Sequence, residues 1–294
     1  MAILYNLDMP VLYIDKPKGI TSFGVCNKIK HVLHTKKIGH TGTLDPNATG
    51  LMIILCDEAT KANQFLVSDI KEYLGVCKIG VSTDTLDIEG NVLASKSVKM
   101  PSKEEIEYVF GSFIGKYSQI PPMTSAIKVG GKKLYEYQRE GKEIELKPRT
   151  VEIYELELLD INDDEFSFRA KVSSGTYIRS LLKDVLDALE IIGTLKELRR
   201  TKINDVTVDI ADSLEDVLNG NYKTFDLYDV LKNRYYTYIA DDPKWIMDGK
   251  PLKLDLSQNE ILVVDKNNKC LAVYRKENDL YRCVRGLLWL KNIK

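Results

Sequence analysis

Gly39-His40-Thr41-Gly42-Thr43-Leu44-Asp45-Pro46-Asn47-Ala48-Thr49-Gly50, running into Leu51-Met52-Ile53-Ile54-Leu55-Cys56, is the least ordinary stretch of the chain. The apolar run is short and bounded by turn residues, so it reads as a buried strand. A residue before proline is pushed out of the α region, which holds Asp45 extended between the glycine-bounded loop and that strand. Asp-Pro and Gly are turn residues, and a simple turn satisfies the pattern. A lone carboxylate on such a loop, beside His40 and two threonines, also suits a fixed nucleophile placed at a cleft.

Upstream of the loop, Thr21 or Ser22 can cap a helix whose apolar positions Val25, Cys26, Ile29, Val32 and Leu33 follow the 3.6 period, with Lys28, Lys30 and His31 turned outward. Downstream, Lys71 to Ile79 alternates and predicts a strand with Tyr73, Gly75, Cys77 and Ile79 on one face. Ser102 and Glu105 form a capping box that opens a helix through Phe110. Thr150 to Leu159 and Phe166 to Val172 alternate as paired strands. Ile178, Leu181, Leu182, Val185, Leu186 and Leu189 then draw one apolar stripe on a helix over residues 176–190. A second, short helix is expected after Gly193, carrying Leu198 and ending in Arg199, Arg200 and Lys202. From about Tyr235 the texture changes to short apolar runs, Ile261 to Val264 and Leu271 to Tyr274, separated by Asn, Asp and Gly, as in a small β module. No internal repeat or low-complexity tract occurs.

Composition bounds the class. With 294 residues, 44% hydrophobic and 29% charged, the chain can bury a sizeable core, and disorder is excluded as its overall state. No apolar run approaches the roughly 20 residues of a membrane helix, and Met1 to Pro10 lacks the basic start of a secretory signal, so a cytoplasmic protein is expected. The five cysteines, Cys26, Cys56, Cys77, Cys270 and Cys283, are odd in number and never spaced C-x-x-C. They fit reduced thiols rather than a disulfide framework or zinc ribbon. His31 and His34 have no companion ligands at a metal spacing and read as solvated helix residues. Thr85 to Gly90 imitates the start of a calcium loop, but Thr85 and Lys96 stand where carboxylates are needed. Phosphate-cradling and nucleophile-elbow motifs are missing from the sequence.

Lysine and arginine total 42 against 43 acidic residues, whereas nucleic-acid binders are more often strongly basic. The charges are unevenly spread: Glu152 to Glu165 holds seven acids and no base, while Lys128 to Arg149 holds seven bases against four acids. From Ala240 to the end there are eleven bases and eight acids. Local basic surfaces are compatible with this distribution, as are ordinary solvated faces.

The Gly39 to Pro46 loop, with Ala48-Thr49-Gly50 after it, resembles the signature of the TruB family of tRNA pseudouridine synthases. Further segments recur in the family's order: Asp15-Lys16-Pro17-Lys18-Gly19-Ile20-Thr21-Ser22, Lys71-Glu72-Tyr73, Thr83-Asp84-Thr85 with Asp87, and Ile120-Pro121-Pro122 with Ser125-Ala126. Lys132-Lys133-Leu134-Tyr135-Glu136, Gly175-Thr176-Tyr177-Ile178-Arg179 and Leu198-Arg199-Arg200 complete the set. The resemblance covers about residues 11–202. It implies an α/β (α+β) catalytic domain on a mixed, mostly antiparallel sheet and, as the family often has, a small β-rich PUA-like RNA-binding domain after it. The texture change and the terminal excess of basic residues set the expected bounds at residues 1–234 and 235–294.

The resemblance also implies a reaction: the T-loop uridine of tRNA, conventionally position 55, becomes pseudouridine when its N1–C1' bond breaks and the base rejoins through C5. Nothing is oxidised and no group is donated, so no cofactor or metal is required. The target base must be flipped out of a folded loop. By resemblance Asp45 is the catalytic carboxylate and Arg179 pairs with it. Tyr73 stacks on the target uracil and counts with the catalytic set, Tyr177 and Leu198 line the base pocket, and His40 fills the place the nucleotide leaves. Lys18, Lys132, Lys133, Arg199 and Arg200 are candidate phosphate contacts. The expected partner is the T arm of tRNA, with no membrane and no obligatory protein partner.

The alternative is a tRNA-binding folding chaperone that uses the same cleft. An Asp45–Arg179 pair favours the enzyme, because a pure binder gains nothing from a carboxylate facing polyanionic RNA. Guide-RNA-dependent relatives are longer chains, and a glycoside hydrolase would need a second carboxylate beside Asp45.

Overall fold

The computed structural model describes residues 9–67, 69–125, 128–140, 144 and 146–288. Ala126 of the motif segments, residues 1–8 and 289–294 of the two expected domains, and Lys142, Glu143 and Glu145 of the charge count lie outside the described residues.

Strand β1 (Pro10–Lys16) is followed by helix α1 (Ser22–Leu33). Thr21 caps α1: its hydroxyl accepts the Gly24 N–H at 2.9 Å, and His34 closes the helix with φ 50°. His31 and His34 are exposed, as expected of solvated positions. Strands β2 (Ile38–His40) and β3 (Thr49–Cys56) flank the Asp45 loop and pair antiparallel, and a 3-10 segment, Asp57–Phe65, follows.

Next come β4 (Lys71–Ile79), the hairpin of β5 (Val81–Thr83) and β6 (Val92–Ser95), α2 (Lys103–Phe113) and β7 (Gly115–Gln119). The capping box forms as expected, with Ser102 and Glu105 exchanging bonds. Short strands β8 (Lys128–Val129) and β9 (Lys132–Lys133) lead to α3 (Leu134–Arg139), then to the long antiparallel pair β10 (Arg149–Asn162) and β11 (Glu165–Val172). Helix α4 (Ile178–Ala188) buries the stripe Ile178, Leu181, Leu182, Val185 and Leu186.

Residues 193–203 correct the sequence expectation: they form strand β12 (Gly193–Ile203), antiparallel to β4, and Leu198 is a strand residue rather than a helical one. Register shifts between Leu195 and Glu197 and between Arg200 and Lys202 break the period of two that would have announced a strand. Pairing along β4 overrides the helical preference of Leu, Lys, Glu and Arg.

The chain continues through β13 (Val206–Thr207), β14 (Asp212–Ser213), α5 (Leu214–Leu218), β15 (Phe225–Asp226) and α6 (Leu227–Leu231). It ends in β16 (Tyr236–Ile239), α7 (Pro243–Met247), β17 (Glu260–Val264), β18 (Cys270–Glu277) and β19 (Leu280–Gly286). These last strands make a separate sheet in the order β16-β17-β18-β19. It begins where the sequence texture changes and carries its own core of Ile246, Ile261, Val263, Leu271, Tyr274 and Tyr281.

Two compact units result: Met1–Asp45, Met52–Val67 and Ile210–Lys294 form one, and Pro46–Leu51 with Ser68–Asp209 form the other. In the first unit β1 runs parallel to β14 and antiparallel to β15. In the second the order is β12-β4-β11-β10-β7, antiparallel throughout, with Thr49 and Gly50 of β3 parallel to Arg199 and Arg200 at the β12 side. The ladders are therefore mixed and mostly antiparallel. The second unit's core is built on Phe110, Phe166 and Phe168, with Phe110 6.2 and 6.3 Å from the other two ring centroids. Gly75 admits this packing, since a Cβ there would come within 2.4 Å of the Phe168 ring. Truncating so buried an aromatic ring costs about 3 to 5 kcal/mol.

Candidate active site

The Asp45 loop is anchored at both ends. At its start, the Thr41 N–H donates to the Ile53 carbonyl at 3.2 Å and His40 pairs with Ile54 across β2 and β3. In its middle, Ser22 is buried and brackets Leu44: its Oγ donates to the Leu44 carbonyl at 2.9 Å and accepts the Leu44 N–H at 2.8 Å. Asp45 follows directly, half-buried, and Pro46 opens a turn. At the loop's end Gly50 has φ 104°, and a Cβ there would lie 2.2 Å from the Arg200 carbonyl oxygen, so only glycine lets β3 begin beside β12.

Tyr73 and Leu198 come together on one face of the second unit. Tyr73 pairs with Arg200 and Gly75 with Leu198, which makes Tyr73 and Leu198 diagonal neighbours on adjoining strands. Tyr73 is buried and Leu198 half-buried. Arg200 corrects an expectation: it is 1% exposed and its Nε donates to the Leu51 carbonyl at 2.7 Å, so it is a structural residue and cannot reach a phosphate. Arg199 donates to Thr49 Oγ1 at 3.4 Å. Lys132 pairs with Glu140 and stands 5.0 Å from the Tyr137 ring centroid, Lys18 is exposed, and the Lys133 side chain lies outside what is described.

Tyr177 and Arg179 sit at the start of α4. Arg179 is buried, and its Nη1 donates to the Thr85 carbonyl at 2.9 Å and to Thr124 Oγ1, while Asp87 Oδ2 lies 3.6 Å away. A cation is disfavoured at a helix N-terminus, and these acceptors offset that. Asp87 is itself held: its Oδ1 accepts from Thr85 Oγ1 at 2.8 Å and from the Glu89 N–H at 3.2 Å. Gln119, 1% exposed, accepts the Tyr177 N–H and donates back to its carbonyl. Burial pushes the neighbouring Tyr117 hydroxyl well above the ordinary phenol range.

Thr85, Asp87, Gln119 and Thr124 have no site role legible in the sequence, and Ser22, an alternative helix cap there, leaves the cap to Thr21. Three of them stand in the motif segments Thr21-Ser22 and Thr83-Asp84-Thr85 with Asp87, which was the available signal. Asp45 and His40 belong to the first unit, and Tyr73, Tyr177, Arg179 and Leu198 to the second. Among the described residues, no group of His, Cys, Asp and Glu could hold a metal ion, and no helix is long and apolar enough to cross a membrane.

The family model of the TruB family pseudouridylate synthase N-terminal domain matches residues 30–178, a span that holds the Asp45 loop, Tyr73 and Tyr177. This chain belongs to the TruB family. The TruB match stops one residue short of Arg179, but similarity to whole TruB proteins runs further. The tRNA pseudouridine synthase B of Clostridium tetani is 36% identical over 287 residues, covering 95% of this chain and 99% of the relative. That of Bacillus cereus is 38% identical over 280 residues, covering 90% and 91%. That of Alkaliphilus oremlandii reaches 45% over 207 residues, or 70% and 69% of the two chains. A solved Cbf5-Nop10-Gar1 complex contains a chain with the same fold, at a TM-score of 0.73 and 20% identity, covering 98% of this TruB chain and 88% of its own.

Proposed function

We propose that this TruB-family protein isomerises a uridine of tRNA to pseudouridine, at the T-loop position conventionally numbered 55, with Asp45 as the catalytic carboxylate. The observation that carries this is the family match over the Asp45 loop, joined to similarity along nearly the whole Clostridium tetani relative, itself a tRNA pseudouridine synthase B. The N1–C1' bond breaks, the base turns and C5 bonds to C1'; C5 then loses its proton and N1 gains one, so atoms and electrons balance within the substrate and solvent. A carboxylate, which can act as nucleophile or base, fits that chemistry. Arg179 pairs with Asp45 through a charge-assisted contact that aims the carboxylate. Tyr73 stacks on the flipped uracil, Leu198 and Tyr177 wall the pocket, and His40 occupies the place the nucleotide leaves.

Lys18, Lys132 and Arg199 meet phosphates of the T arm. Residues 235–294 act as a PUA-like RNA-binding domain behind a catalytic domain of residues 1–234. The protein works in the cytoplasm without an obligatory protein partner. The test is incubation of the purified protein with an unmodified tRNA transcript, followed by mapping of pseudouridine at single-nucleotide resolution. Conversion of the T-loop uridine is expected, and conversion elsewhere or none would overturn the assignment.

A further inference from the structure

We infer that Ser22 is a positioning residue for the reaction: its hydroxyl holds the backbone of Leu44 and so fixes where the Asp45 carboxylate points. The inference rests on Asp45 being the catalytic carboxylate. Ser22 is 2% exposed and makes no cap for its own helix, because Thr21 does that. Its hydroxyl is used twice on one distant residue, accepting the Leu44 N–H at 2.8 Å and donating to the Leu44 carbonyl at 2.9 Å. A hydroxyl can do both only in one narrow placement, since it has one proton to give. Leu44 is itself 3% exposed.

Asp45 therefore has an immobilised backbone on one side. On the other, the Pro46 ring restricts its own φ and the conformation of Asp45. Between these two constraints the peptide of Asp45 has little freedom, and the carboxylate starts from a fixed base. Helix α1 supplies the fixed point, since it is buried along Val25, Cys26 and Ile29. Without the hydroxyl, the Leu44 N–H and C=O are left buried without that partner, and the loop gains by turning them toward water. Asp45 then moves with them. A displacement of about 1 Å at a reacting group can cost on the order of a hundredfold in rate.

Single-turnover conversion of a tRNA transcript and its dissociation constant are to be measured for Ser22→Ala, Ser22→Thr and Val25→Ala. Val25 lies on the same helix, is fully buried and has an apolar side chain that makes no hydrogen bond, so its truncation lowers stability without removing a hydrogen bond to Leu44. Ser22→Ala is expected to slow conversion by about 10- to 100-fold with tRNA affinity within about twofold, and Ser22→Thr to recover most of the rate. Val25→Ala is expected to melt lower and turn over normally.

A Ser22→Ala rate within about twofold of wild type, or a loss that Val25→Ala reproduces at an equal fall in melting temperature, overturns the inference. Should Ser22→Ala not fold, Ser22→Cys, which keeps the shape and weakens both bonds, is read by the same criteria. Asp45→Asn serves as the reference. If it is inactive while Ser22→Ala is normal, this inference alone fails; if Asp45→Asn is active, the assignment of the catalytic carboxylate fails.

Discussion

Gln119 and Tyr177 exchange a pair of hydrogen bonds: the Tyr177 N–H donates to Gln119 Oε1 at 2.8 Å, and Gln119 Nε2 donates to the Tyr177 carbonyl at 3.1 Å. The end of β7 is thereby tied to the N-cap residue of α4, two positions before Arg179. Gln119→Leu keeps the volume and removes both bonds; the Tyr177 carbonyl keeps the Leu181 N–H at 3.0 Å, and the loss of the bond from the Tyr177 N–H costs about 1 to 3 kcal/mol. The expected result is a lower urea midpoint, with an unchanged denaturant slope, and a slower rate. Gln119→Glu keeps the acceptor, loses the donor and places a carboxyl at a site 1% exposed, so its urea midpoint should also lie below wild type in the same unfolding experiment.

Asp45→Asn keeps the side-chain volume and removes the negative charge. Turnover of the tRNA transcript should fall by more than about a thousandfold, roughly 4 kcal/mol of barrier, while transcript binding stays close to wild type. A variant with a tenth of the wild-type rate would contradict the role assigned to Asp45.

Arg179→Lys is not conservative. The guanidinium serves Thr85, Thr124 and Asp87 from one planar fork, and an ammonium cannot reach all of them at once. The lysine variant is expected to lose both melting temperature and turnover. Arg179→Ala should cost about 3 to 5 kcal/mol, because it strips a mostly buried carboxylate of its cation. Asp87→Asn removes only the structural partner, and comparing the two in single-turnover assays separates the Asp87 contact from the proposed contact with Asp45.

Truncation after Arg234 is expected to leave a folded catalytic part that binds tRNA more weakly. The cut spares β14 and β15, which pair with β1, and removes the sheet that starts at Tyr236. It also removes Leu287, whose carbonyl accepts from Lys61 Nζ at 3.2 Å. A cut after Asp209 takes β14 and β15 as well and should give insoluble protein. Gel filtration and filter binding of the two fragments decide the matter.

Thiol chemistry offers a test of the core. Burial pushes the Cys26 thiol up to about 11 and Cys56 up to about 12, and both are buried. A thiol whose pKa is raised on folding stabilises the native state while protonated. That contribution is complete below pH 9 and fades as the pH rises through 11 to 12. Ellman titration of the native protein at pH 8 should therefore find at most Cys283, which is half-exposed, and all five cysteines once the chain is unfolded. Melting temperature should fall steadily above pH 9.

Sequence by itself determined the elements whose periodicity is intact. The α4 stripe, the buried face of β4 and the Ser102–Glu105 box each depend on residues within a few positions of one another, and local geometry enforces them. It also singled out the Asp45 loop, because Asp before Pro among glycines has a local conformational meaning. Tertiary structure alone decided the rest. Strand β12 exists because β4 offers it a ladder, and its two register shifts hide the alternation from any window of sequence. Arg200 counted as a surface cation by its chemistry, yet the pairing of β12 turns it inward to the Leu51 carbonyl. Ser22 and Gln119 bind partners 22 and 58 residues away. Their side chains have no local signature beyond being polar, and what they do is set by which buried backbone the fold brings to them, where an unmet N–H or C=O is too costly to leave.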